Sequence, residues 1–249
     1  MLVKIAICYL DNKSIRMETS AFLQFVRLVV AGKADGVSRL LSAAPAFAIT
    51  ASPVGATRQV ATDFFFTEIS RYLYAGDTAL HMAAAAFSRP MAKLLMSHGA
   101  DCRAKNRRGA EPLHYAADGI RWEPRAQADM IEYLISIGAE PNAVDKTGVA
   151  PLHRAVRTRS LAAVRALLDG SANPRKPNKA GSTPLHLAVQ PTGASGSGSD
   201  KARQQQAEII SLLLERGARP TDKDGRGKQV YHAATSEWIR TLLTEEKAG

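Results

Sequence analysis

The stretch Gly181-Ser182-Thr183-Pro184-Leu185-His186-Leu187-Ala188-Val189 is the most regular of five related passages in this 249-residue chain. Its relatives are Gly76-Asp77-Thr78-Ala79-Leu80-His81-Met82-Ala83-Ala84, Gly109-Ala110-Glu111-Pro112-Leu113-His114-Tyr115-Ala116-Ala117 and Gly148-Val149-Ala150-Pro151-Leu152-His153-Arg154-Ala155-Val156. A degenerate fifth is Gly227-Lys228-Gln229-Val230-Tyr231-His232-Ala233-Ala234. A second element recurs between them: Leu94-Leu95…Gly99-Ala100, Leu134…Gly138-Ala139, Leu167-Leu168…Ser171-Ala172 and Leu213-Leu214…Gly217-Ala218. From each closing alanine the next motif histidine lies 14 residues on. A register kept four times defines a repeat, and a repeat of this length decides the fold before any local reading.

Each residue type has a physical reason for its place. Proline is tolerated at the first helical position, where its missing N–H is harmless and its fixed φ is already helical. Thr183, just before Pro184, can cap that helix. Paired alanines let a neighbouring helix approach closely, and the leucines of the second element supply a stacked core. Gly99, Gly138 and Gly217 stand where a helix ends in a left-handed residue. Glycines 109, 148, 181 and 227 serve tight turns between units.

The unit resembles the ankyrin repeat family, whose 33-residue repeat carries a T-P-L-H-x-A signature. The resemblance covers about residues 76–243. It implies an all-α solenoid of about 5 to 6 helix–turn–helix layers joined by hairpin fingers, with degenerate terminal caps. It also implies a structural role for His81, His114, His153, His186 and His232, bonding backbone between adjacent turns, and docking of protein partners through the finger tips and the concave helical face. The motif histidines stand 33, 39, 33 and 46 residues apart, so the second and fourth units carry 6 and 13 extra residues. With the downstream interval constant, the insertions fall between the two helices, near 119–128 and 191–206. The second contains Thr192-Gly193-Ala194-Ser195-Gly196-Ser197-Gly198-Ser199 and reads as a flexible loop. Departures from the signature at Ala79, Glu111, Ala150 and throughout the fifth copy mark weaker layers.

Upstream, residues 19–48 have the helix–turn–helix rhythm without the signature and read as an N-terminal capping repeat. Residues 49–75 form a longer connection, whose aromatics (Phe64-Phe65-Phe66 and Tyr72-Leu73-Tyr74) are expected in a short helix packed on the stack. Ser236–Leu243 makes a stubby final helix, and 244–249 a tail. Residues 1–18 read as a leader or a non-native start. Their apolar run Leu2-Val3…Ile5-Ala6-Ile7-Cys8-Tyr9-Leu10 only loosely resembles a signal core, because Asp11, Lys13 and Arg16 stand where a small-residue cleavage site belongs. Met17 is an alternative start.

Composition narrows function. With 45% hydrophobic but only 6% aromatic residues, the chain suits closely packed helices rather than a β-sandwich. Two cysteines, Cys8 and Cys102, exclude a disulfide framework or a Cys-rich metal site and fit a reducing, cytoplasmic setting. No apolar run reaches 18 residues, so no membrane insertion is expected.

The sequence points to no catalytic residue, cofactor site or metal site. Five of six histidines sit in the signature, and side chains a layer apart cannot converge on one zinc ion. The sixth, His98, ends a helix, a favourable spot for positive charge. Cys102 sits beside Arg103 but has no uncommitted histidine to activate it. There is no phosphate-binding glycine loop or nucleophile elbow. An enzyme with its site in residues 1–75 is the remote alternative. That region has no histidine, and its acids (Asp11, Glu18, Asp35, Asp63, Glu68) keep no motif spacing.

The charge points instead to a binding surface. Of the net charge of +10, the four fingers carry +7. Arg103, Lys105, Arg107 and Arg108 are on the first, Lys146 on the second, Arg175, Lys176 and Lys179 on the third, and Lys223 and Arg226 on the fourth. Arg157, four residues after its signature histidine, should line the concave face with Ala85, Asp118 and Gln190. Trp122, in the first insertion, is either a partner's anchor or folds back over Tyr115 and Tyr133. Together these describe a non-catalytic, monomeric scaffold or adaptor that binds an acidic protein surface. Nucleic acid on the same ridge is the lesser alternative, since the fingers lack the aromatic interleaving that single strands stack on and no recognition helix is evident.

Overall fold

The computed structural model describes residues 20–119, 123–191 and 199–245. The leader and residues 246–249 of the tail lie outside the described residues. Helices alternate in two rows. The inner row is α3 (Ala79–Ala85), α5 (Pro112–Ala117), α7 (Pro151–Arg157), α9 (Pro184–Ala188) and α11 (Val230–Ala233). The outer row is α4 (Arg89–Ser97), α6 (Pro124–Ser136), α8 (Leu161–Asp169), α10 (Asp200–Glu215) and α12 (Glu237–Glu245). Each inner helix packs on the next, and α3, α5, α7 and α9 also pack on the outer helix of their own unit, whereas α12 packs on α10. Ahead of them, α1 (residues 20–30) and α2 (Ala34–Ala43) form a pair turned at Gly32. Phe22, Phe25 and Phe47 cluster there, with the Phe25 and Phe47 rings stacked at 5.2 Å.

The signature histidine holds the stack together. Its Nδ1 accepts the backbone N–H three residues earlier, from Thr78, Glu111, Ala150 and Thr183, at 3.1–3.2 Å. Because a backbone N–H can only donate, the ring proton belongs on Nε2. That nitrogen then donates to a carbonyl of the next finger: Ala110 from His81, Val149 from His114, Ser182 from His153 and Lys228 from His186, at 3.0–3.3 Å. One ring thus caps its own helix and ties it to the following unit. His232 departs from the expectation for the fifth copy: it is exposed and edge-on to Tyr231, and among the described residues its ring makes no bond to another unit.

Successive fingers are also joined backbone to backbone. Arg107 N donates to Ala75 O, Lys146 N to Arg108 O, Lys179 N to Thr147 O and Gly225 N to Ala180 O, at 2.8–3.1 Å. Within each finger an Asx side chain (Asn106, Asp145, Asn178, Asp224) accepts two backbone N–H groups and fixes the turn.

The insertions do not simply bulge as loops. A regular unit joins its helices through three residues and has a nine-residue outer helix, as in α4 and α8. In the second unit the outer helix grows to 13 residues and in the fourth to 16. Much of each insertion is therefore extra helix, while residues 120–122 and 192–198 lie outside the described residues.

A substitution of chemistry makes this possible. In the regular units the inner-helix carbonyls of Ala83 and Ala155 accept the backbone N–H of Ser88 and Ser160, where the outer helix begins. At the corresponding place in the lengthened helices stand Gln127 and Gln206, both 2% exposed. Their side-chain Nε2 atoms donate to Ala116 O and Ala188 O at 2.8 and 2.6 Å. A side-chain amide replaces a backbone donor, so the inner helix is closed while the outer helix continues past it.

The connection at 49–75 differs from the expected short aromatic helix. It contains the single 3₁₀ turns Thr62–Phe64 and Thr67–Ile69, the second enclosed by a hairpin, β1 (Phe65–Phe66) antiparallel to β2 (Arg71–Tyr72). Aromatic and β-branched residues favour the extended form, and here Phe65 meets Tyr72 at 4.8 Å across the strands. Phe66, Ile69 and Leu73 are buried against the stack.

Candidate functional site

In the second and third units the position immediately after the signature histidine faces the hollow between inner helices and fingers. It is occupied there by Tyr115 and Arg154. Around them lies a cleft of about 510 Å³, lined by six cations (Arg71, Arg107, Arg108, Lys146, Arg154, Arg157), the carboxylates Asp118 and Asp145, and Tyr74 and Tyr115. Three sources supply it: the hairpin strand β2, two adjacent fingers and the inner helices.

The floor is an ion network that the fold satisfies internally. Arg154 reaches Asp145 at 2.9 Å and Asp118 at 3.4 Å, with its side chain 12% exposed. Asp118 also receives Arg157 at 3.2 Å and Arg71 at 3.6 Å, and Arg71 donates to its backbone carbonyl. Burial alone would raise the Asp145 carboxyl. Hydrogen bonds from Thr147 and Arg154 and from the backbone N–H groups of Thr147 and Val149 more than offset this and hold it at about 2. Tyr115 is buried, and its hydroxyl donates to the fully buried Asp77, which also receives Asn106 Nδ2 at 2.8 Å. Burial and the Asp77 charge raise the Tyr115 hydroxyl well above its ordinary value. Arg71 lies over the Tyr115 ring at 5.0 Å and Arg108 over the Tyr74 ring at 4.4 Å, so both guanidinium groups are braced on aromatic faces.

The cations named from the sequence separate into two groups. Four have carboxylate partners: Arg103 with Glu140 (3.6 Å), Lys105 with the buried Glu111 (3.7 Å), Arg157 with Asp118, and Arg175 with Asp222 (2.7 Å). For Arg107, Arg108, Lys146, Lys176, Lys179, Lys223 and Arg226, no carboxylate bridge is found among the described residues. Arg107, Lys146 and Lys179 hold equivalent positions on three fingers, each donating its backbone N–H to the finger before, so their side chains form one row. Arg107, Arg108, Lys146 and Arg157 come together in the cleft. Lys176, Lys223 and Arg226 lie further along the fingers and do not line it. Trp122 lies outside the described residues.

Sequence reasoning missed Arg71, Asp145 and Arg154. The signal for Arg154 was available in the position after the histidine, which varies (Met82, Tyr115, Arg154, Leu187) where its neighbours do not. Arg71 enters through a hairpin that no repeat pattern announces. A second cavity of about 570 Å³ lies along α8 between the lengthened α6 and α10. Its walls mix Glu132, Asp169 and Glu208 with Arg125 and Arg165, and Asp169 is already bridged to Arg216 at 2.6 Å.

Nucleophile chemistry finds no support around Cys102. The thiol is buried, and burial followed by the Asp101 charge raises its pKa. Among the described residues no group of three or more His, Cys, Asp or Glu side chains is arranged to hold a metal ion. No described helix is long and apolar enough to cross a membrane.

The stacked helix pairs, fingers and capping histidines define a helical-repeat solenoid. Ankyrin repeat models match residues 75–107 and, as three copies, residues 122–224. Together these span more than half the chain, which belongs to the ankyrin repeat family. No curated protein matches it.

Proposed function

We propose that this protein is a non-catalytic adaptor that docks an acidic segment of a partner protein in the concave cleft and along the adjoining row of finger cations. Ankyrin repeats are generally protein–protein interaction modules. The observation that carries the reading is the charge imbalance of the cleft, six cations around two carboxylates that are themselves held by Arg71, Arg154 and Arg157. Like charges gathered in a partly desolvated hollow repel one another, and an incoming anionic segment relieves that cost. The free thiol of Cys102 fits a cytoplasmic setting, and the adaptor is proposed to act there as a monomer.

Charge reversal tests this directly. Arg107→Glu, Arg108→Glu and Lys146→Glu together should lower the affinity for a Glu/Asp-rich peptide by at least tenfold and leave the helical circular dichroism unchanged. Equal affinity in the variant would reject the cleft. Capture from lysate at about 50 and 200 mM salt, with and without nuclease, separates a protein partner from nucleic acid, whose binding falls steeply with salt.

A further inference from the structure

The geometry points to a phosphorylated side chain as the anchor that this cleft selects: a phosphoryl dianion held by Arg107, Arg108, Lys146 and Arg157. This deepens the adaptor reading and rests on it. Charge density is the first argument. With both carboxylates committed to the floor network, the cleft keeps four positive charges in excess within about 510 Å³. Carboxylate side chains bring one charge each on a planar group, whereas a phosphoryl group brings close to two charges and three acceptor oxygens in one small tetrahedron.

Donor arrangement is the second argument. Arg107 and Arg108 come from one finger, Lys146 from the next, and Arg157 from the end of α7, so three separate elements bring their donors to one cleft. Four cationic groups can share the three acceptor oxygens of a phosphoryl group, more than the two oxygens of a carboxylate can engage.

Pre-organisation is the third. Arg108 is braced on Tyr74, and the Arg108 carbonyl accepts the backbone N–H of Lys146 at 2.8 Å, so the two cations are held beside each other. Arg157 is fixed by Asp118 yet remains 63% exposed, free to share its fork with a ligand. Arg154 lines the cleft with its Nε buried and without a hydrogen-bond partner among the described residues. Arg71 and Arg154 balance Asp118 and Asp145 in the floor, so the four excess charges of the cleft sit on the four donors themselves.

The test uses the full chain and small probes whose fit needs no knowledge of a partner's sequence. N-acetyl-phosphoserine amide, inorganic phosphate, N-acetyl-glutamate amide and chloride are titrated at constant ionic strength. Arginine side-chain NMR shifts serve as the readout. Phosphoserine amide and phosphate should bind at least tenfold tighter than the glutamate amide. The preference should shrink below about pH 6, where the dianion gains a proton. It should also disappear in Arg108→Gln/Lys146→Gln, whose removed charges are exposed and unnecessary for folding. Equal binding of phosphoserine and glutamate, or a preference kept by the double variant, overturns the inference. If a Glu/Asp-rich peptide still binds in either case, the adaptor reading stands without it. An oligonucleotide that binds as tightly as phosphoserine amide and is lost in the same variant assigns the site to a nucleic acid backbone and overturns the inference too.

Discussion

At the scale of single residues, the signature histidine carries both stability and its pH dependence. Burial lowers the pKa of His81, His114 and His153, to about 4 for His114, where the Arg154 charge adds to the effect. The unfolded chain binds protons on these rings from about pH 6.5 downward while the folded protein refuses them, so stability is full above about pH 6.5 and falls on acidification toward 4. His114 alone should contribute a loss of about 2 kcal/mol between pH 8 and pH 5. Urea unfolding midpoints across that range measure it, and a midpoint independent of pH would contradict the neutral-ring assignment. The finger glycines make a second residue-scale prediction. Gly181 has φ +76°, and a Cβ there would meet Gly225 N at 2.1 Å, whereas Gly138, at φ +100°, has nothing within 4 Å. Gly138→Ala should cost only the strain of its backbone, about 1–2 kcal/mol. Gly181→Ala should cost clearly more, because the strand of fingers must also open; thermal unfolding of the two variants decides between them.

At the scale of elements, the lengthened outer helices depend on one side chain each. Gln127→Ala leaves the Ala116 carbonyl buried without its donor and should cost about 1–3 kcal/mol, with Gln206→Ala behaving alike at Ala188. Gln127→Ser should not rescue stability, since a hydroxyl on a continuing helix is too short to reach where Ser88 uses its backbone. A denaturant series on the three variants tests the assignment. The same elements show what was legible beforehand. Repeat register, inner and outer helices and fingers followed from a pattern kept four times, because each position answers to a local rule. The lengthening of α6 and α10 did not follow, since a residue count places an insertion but does not say whether it is helix or loop. The hairpin at 65–72 was hidden for another reason: a short aromatic run satisfies helix and strand equally until cross-strand partners such as Phe65 and Tyr72 are known. Of the site, the finger cations could be read from charge alone, while their division into paired and unpaired could not, because Glu140, Glu111 and Asp222 come from other parts of the chain.

At the scale of the molecule, the histidine bonds run one way, each unit donating to the next, so among the described residues the fifth unit receives such a bond and His232 passes none on. There α11 has only four residues and His232 faces water. Hydrogen exchange should therefore be fastest over Val230–Glu245 within the stack and slowest in α5 and α7; equal protection across all layers would contradict this gradient.

The glutamine closure has a consequence for how the chain could be cut. In the second and fourth units the carbonyl of Ala116 or Ala188 is closed by an amide from within the outer helix, so that bond does not depend on the backbone of the link between the two helices. A cut between the two helices of either unit is therefore expected to leave that closure intact. Two fragments divided within the fourth unit, each unstable alone, should reassemble on mixing, turning one solenoid into a complementing pair whose reunion reports that both halves are in the same place.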